Sequence, residues 1–92
     1  MCLENFVYLA ALIVLINNDP FLKAFGQRIK EFRLALNMTQ EELANTAEIP
    51  INQVGRIERG EINTTLVTIK ALADALEVST ELFFKDLNKL FE

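Results

Sequence analysis

Ninety-two residues, 51% of them hydrophobic, suffice for one domain whose core several helices share, and they exclude a two-domain enzyme. There is no histidine and only one cysteine, Cys2, which removes the usual zinc sites, an intrachain disulfide and the Ser-His and Cys-His nucleophile pairs, and makes a reducing cytoplasm the natural compartment. A net charge of −4 argues, taken as a total, against a polyanionic partner.

Residues 6–16 form an unbroken apolar run, closed by Asn17-Asn18-Asp19-Pro20. The run is shorter than the roughly 20 residues a helix needs to span a bilayer. It has no preceding positive charge and no small-residue cleavage site after it, so it does not read as a secretory signal. Residues 1–18 are therefore expected to be an apolar extension: an extra helix or strand packed on the domain, a dimerisation element, or a peripheral anchor. Residues 19–92 are expected to form the working domain.

Asp19 as a cap and Pro20 at a first helical position predict a helix over 20–36. Its apolar residues Leu22, Phe25, Ile29, Phe32 and Leu36 are spaced 3, 4, 3, 4, which is one helical face, and Asn37 tolerates the left-handed backbone of a helix stop. Thr39 followed three residues later by Glu42 is a capping box, and it predicts a second helix over 40–47 with Leu43, Ala44 and Ala47 facing inward. A third helix is predicted over 51–58, begun near Pro50 and stopped at Gly60, with Val54 and Ile57 inward and Asn52, Gln53 and Arg56 outward. Those three side chains hydrogen-bond base edges readily, and a helix this short can enter a major groove. After the loop 60–64, Thr65 caps a helix over 66–76 carrying Leu66, Ile69, Leu72, Ala73 and Leu76. Ser79 caps a last one over 80–91 carrying Leu82, Phe83, Phe84, Leu87, Leu90 and Phe91. The expected class is all-α, with no strand pattern or repeat.

Three segments stand in a telling order: Thr39-Gln40-x-Glu42-Leu43-Ala44, Arg56-Ile57-Glu58-Arg59-Gly60 and Leu72-Ala73-x-Ala75-Leu76-x-Val78-Ser79. With them, residues 21–84 resemble the Cro and phage-repressor type of helix-turn-helix domain, the XRE family. The resemblance implies a five-helix, lambda-repressor-like bundle whose third helix lies in the major groove of double-stranded DNA. It implies base reading by Ile51, Asn52, Gln53, Gly55 and Arg56, with Asn52 suited to adenine and Arg56 to guanine. Phosphate contacts would fall to Gln40, Arg28, Arg59 and Thr64. Arg33 and Glu58 would form a structural ion pair between the first and third helices. Two departures stand out: Glu48 occupies a turn position where the family usually has glycine, and Pro50 one where a hydroxyl residue is common.

The charge distribution tempers the argument from net charge. Residues 21–63 hold Lys23, Arg28, Lys30, Arg33, Arg56 and Arg59 against Glu31, Glu41, Glu42, Glu48, Glu58 and Glu61. This segment is neutral, and the acid excess lies in the flanks. The expected function is thus sequence-specific DNA binding by a small transcriptional regulator, with weak non-specific affinity, no cofactor, no metal and no membrane span. A homodimer is expected on a palindromic operator, joined through Phe83, Phe84, Leu87, Leu90 and Phe91. Small members of the family act as prophage repressors, antitoxins and controllers of restriction-modification systems. The alternative is a protein-interaction module that uses the helix pair and the apolar ends; single carboxylates such as Glu41, Glu42 and Asp86 make no catalytic constellation.

Overall fold

In the computed structural model, residues 20–87 are described, and they form five helices and no strand: α1 (Pro20–Ala35), α2 (Gln40–Ala47), α3 (Ile51–Glu58), α4 (Leu66–Ala75) and α5 (Thr80–Phe84). The expected extension 1–18, the Asp19 cap, and Leu90 and Phe91 of the expected dimer surface lie outside the described residues. Helix α1 packs on α3 and α5, α2 packs on α3 and α4, and α4 meets α5, so α3 is held between α1 and α2.

Each helix contributes one buried stripe. Phe25 and Ile29 of α1, Leu43 and Ala44 of α2, Val54 and Ile57 of α3, Leu72 of α4, Leu76 at its C-cap, and Phe83 of α5 all become inaccessible to solvent. At about 1.5–3 kcal/mol for each fully buried large side chain, this core supplies most of the stability. Phe25 and Phe83 meet edge to face at 5.8 Å, and Phe25 stacks on Phe84 at 5.3 Å, which ties the chain's last described helix to α1. Leu36, expected on the apolar face of the first helix, is 43% exposed because α1 ends at Ala35, and Leu66, at the first position of α4, is 83% exposed.

Four helices end the same way. At the ends of α1, α2, α3 and α4, the residues Asn37, Glu48, Gly60 and Glu77 adopt positive φ. The next residue then donates its N–H back across the last turn, Met38 to Arg33 O, Ile49 to Ala44 O, Glu61 to Arg56 O and Val78 to Ala73 O, at 2.9–3.1 Å. These are Schellman motifs, which satisfy carbonyls that a helix end leaves without partners. At Gly60 the backbone stands at φ +72° and a Cβ would lie 2.6 Å from Lys23 Cα, so both conformation and space demand glycine. Close approach explains Gly26 as well: a Cβ there would lie 2.2 Å from Ile57 O, so its absence lets α1 press against the backbone of α3.

The last helix is shorter than its apolar pattern predicts, ending at Phe84 rather than continuing to 91 within the described residues. Ser79 occupies its N-cap position without a side-chain hydrogen bond. Leu87, in the turn that follows, is buried in the core.

Candidate nucleic-acid interface

The geometry of α2 and α3 begins with local chemistry. Thr39 accepts from Glu42 N at 3.0 Å and Glu42 Oε1 accepts from Thr39 N at 2.9 Å, so the capping box closes in both directions. The turn to α3 passes through Glu48 at φ +58°, ψ +44°. Of the two ways such a turn could form without glycine, the chain takes the left-handed one, at a cost of about 1–2 kcal/mol. Ile49 then packs on the core, and Pro50 is the N-cap of α3, in extended conformation, with no side-chain cap.

Helix α3 divides sharply by face. Val54 and Ile57 point into the core, while Ile51, Asn52, Arg56 and, at the C-cap, Arg59 are exposed and Gln53 is half-buried. At about 100° per residue, Asn52, Gly55, Arg56 and Arg59 fall within one sector of the helix surface. The face therefore presents an amide and two guanidinium groups to solvent, the donors and acceptors suited to base edges and phosphates.

A buried polar network holds that face in position. Arg33 Nε donates to Glu58 Oε2 at 2.6 Å and Arg33 Nη2 to Glu58 Oε1 at 3.1 Å, a bidentate pair between α1 and α3. Arg33 Nη1 donates to Met38 O at 2.7 Å, and Gln40 Nε2 donates to Glu58 Oε1 at 3.0 Å. The pair thus crosslinks α1, the turn after it, α2 and α3. Two buried charges with ample partners set an angle between helices more than they add stability.

Several residues expected at the interface have other employment. Gln40 turns its amide inward to Glu58 rather than outward to a phosphate, because the buried carboxylate oxygen needs a second donor. Arg28 donates through Nη1 to Leu82 O at 2.9 Å and Lys85 O at 3.0 Å, capping the carbonyl end of the short α5. The Thr64 hydroxyl oxygen is enclosed and has no hydrogen-bond partner, so it does not face solvent where a phosphate would sit. Gly55 contributes no side chain; the space its Cβ would enter is approached by Arg59 Nη1, 3.0 Å away. Among the apolar dimer candidates, Phe83 and Leu87 are 0% and 1% exposed and belong to this domain's own core, out of reach of a second copy, whereas Phe84 keeps 39% exposure beside its ring contacts.

Two residues escaped the sequence reading. Gly26, in mid-helix next to the core residue Phe25, could have been found from the cost of glycine there, which is tolerated for a packing reason. Glu61 lies beside Arg59, with Arg59 Nε to Glu61 Oε2 at 2.5 Å, and 3.8 Å from Arg56 Nε through its other oxygen. The hydrogen bond from Arg59 lowers the pKa of the Glu61 carboxyl from its ordinary value. Among the described residues there is no cluster of metal-ligating side chains, and no helix is long and apolar enough to cross a membrane.

Comparison with known proteins gives the same outline. The sequence pattern of the helix-turn-helix family matches residues 29–83. A transcriptional regulator encoded in the ATPase CF(0) region of Rhodospirillum rubrum is 34% identical over 64 residues, covering 70% of this chain; the chain spans only 59% of that relative's length. The fold is similar to the restriction-modification controller protein C.AhdI from Aeromonas hydrophila, with a TM-score of 0.68 and 41% identity over 68% of this chain and 96% of that one. It is similar also to the controller protein C.Esp1396I, solved as a tetramer with its natural 35 base-pair operator, with a TM-score of 0.70 and 33% identity over 78% of this chain and 95% of that one.

Proposed function

The chain belongs to the helix-turn-helix family, and from that premise we infer that it is a sequence-specific DNA-binding regulator of transcription, a repressor or controller that lays α3 in the major groove. The observation that carries this reading is the division of α3: its inner face is locked to α1 and α2 through Glu58, and its outer face offers Asn52 and Arg56 to solvent. A rigid helix with free donors and acceptors is what direct base readout requires. Asn52 suits a bidentate pair with adenine, Arg56 suits guanine O6 and N7, and Ile51, 46% exposed, suits a thymine methyl. The N-terminus of α2 offers backbone N–H groups to a phosphate, and Arg59, exposed at the C-cap of α3, is available for a further phosphate contact only where its pair with Glu61 opens. Such a protein works in the cytoplasm, on the chromosome.

One copy presents few phosphate contacts, so two copies related by a two-fold axis should occupy half-sites about 34–36 Å apart. With Phe83 and Leu87 consumed by the core, the surface that favours a second copy is the first turn of α4, where Leu66 and Val67 are adjacent and 83% and 81% exposed. The likeness to controller proteins, one of them tetrameric on its operator, supports assembly of this kind.

The test is selection of bound duplexes from a random pool by the wild type and by Arg56→Ala. The wild type should enrich a palindromic or repeated site. Arg56→Ala should relax one base pair in each half-site and lose about 1–3 kcal/mol of discrimination there. A wild type that enriches nothing even at low salt would sink the reading.

A further inference from the structure

The C-terminal ends of α1, α2 and α4 follow one rule that α3 breaks. In each Schellman motif, the residue after the left-handed position sits over the last helical turn. At the first three ends that residue is Met38, Ile49 or Val78, apolar and packed against the core. At α3 it is Glu61, tied by its N–H to Arg56 O at 2.9 Å. The backbone thereby delivers a carboxylate to the surface of the one helix whose arginines the proposed function needs.

The grip is uneven. Glu61 engages Arg59 through both Nε, at 2.5 Å, and Nη2, at 3.4 Å, which is the edge of the guanidinium a phosphate would use. It approaches Arg56 through Nε alone, at 3.8 Å, and leaves the terminal amino groups that read guanine free. We propose that Glu61 is a specificity-determining residue, an internal stand-in for phosphate that taxes backbone contacts while sparing base contacts. This rests on the DNA-binding reading above.

The consequence differs between duplexes. Non-cognate binding draws its affinity almost wholly from phosphates, so it must first open the Arg59–Glu61 pair. On a cognate site, Arg56 reads its base with the pair intact. Removing the carboxylate should therefore help the wrong DNA more than the right one.

The experiment compares wild type, Glu61→Gln, Arg59→Ala and the double variant by fluorescence anisotropy across a salt series. The probes are the duplex recovered by selection and a scrambled duplex of equal length. Glu61→Gln should bind the scrambled duplex about three- to fivefold tighter at low salt, since exposed pairs are individually weak, and should steepen its salt slope by about 0.9 as one more phosphate is neutralised. The gain on the selected duplex should stay under about twofold, and in the Arg59→Ala background the gain should vanish. Glu61→Ala should act in the same direction, and circular dichroism should show all variants folded. Equal gains on both duplexes, no gain on either, or a gain that survives Arg59→Ala would each overturn the assignment of Glu61. Failure of the wild type and of Glu61→Gln to bind any duplex at low salt would overturn the DNA-binding reading, and the assignment with it.

Discussion

Glu58 accepts three hydrogen bonds from two side chains, two from Arg33 and one from Gln40, in a site where both members of the ion pair are less than 9% exposed. Removing either partner leaves the other as an isolated buried charge. Glu58→Ala is therefore expected to cost about 3–5 kcal/mol in urea denaturation, a large part of what a domain this size possesses. Replacing both, Arg33→Met with Glu58→Leu, should recover most of that loss, because an apolar pair of similar volume needs no desolvation. A double variant as unstable as the sum of the singles would show that packing at these positions, rather than the stranded charge, sets the cost.

At the level of helices, the ends matter as much as the faces. The Schellman motif after α2 places a side chain, Glu48, in left-handed backbone where glycine is at ease. Glu48→Gly relieves about 1–2 kcal/mol of steric cost but gives the unfolded chain more freedom, worth about 0.4–1 kcal/mol. The expected net is a gain of about 0.5–1 kcal/mol, read as a rise of a few degrees in Tm. Gly60→Ala, at the corresponding position after α3, should do the reverse, since its Cβ would collide with the α1 backbone at Lys23. Gain at one position and loss at the other would establish that backbone conformation, not helix propensity, governs these turns. If Glu48→Gly instead lowers Tm, the left-handed turn is compensated by a contact of the Glu48 side chain.

For the molecule as a whole, the arrangement of charge and apolar surface bears on assembly. The segment carrying α1 to α3 is neutral, so affinity for duplex DNA has to come from specific contacts made in pairs. Leu66 and Val67, side by side at the start of α4, form the apolar surface that a second copy would cover. Leu66→Asp combined with Val67→Asp should leave the monomer folded, as both side chains are already in solvent. It should shift sedimentation from dimer to monomer and reduce operator affinity by more than tenfold, since each half-site would bind alone. An unchanged sedimentation profile would move the two-fold contact elsewhere.

Much of this was legible in the chain because its signals are local. The capping box at Thr39 and Glu42, the stop residues Asn37 and Gly60, and the apolar spacing of Phe25, Ile29, Val54 and Ile57 depend on neighbours within a few residues. They determined five helices, an all-α class and the pairing of α2 with α3. Arg33 and Glu58, 25 residues apart, are paired by the family resemblance and not by any local spacing. What the tertiary structure decided was which side chains the other helices leave free. Phe83 reads as spare apolar surface until Phe25 and Phe32 of α1 cover it, Leu87 until the core buries it, and Arg28 reads as a free cation until α5 ends against it. Gln40 turns inward only because Glu58 is buried beside it, and Leu66, at the first position of α4, is left 83% exposed. Periodicity tells which face of a helix is apolar, but burial is a property of what stands opposite, and only the packed molecule holds that.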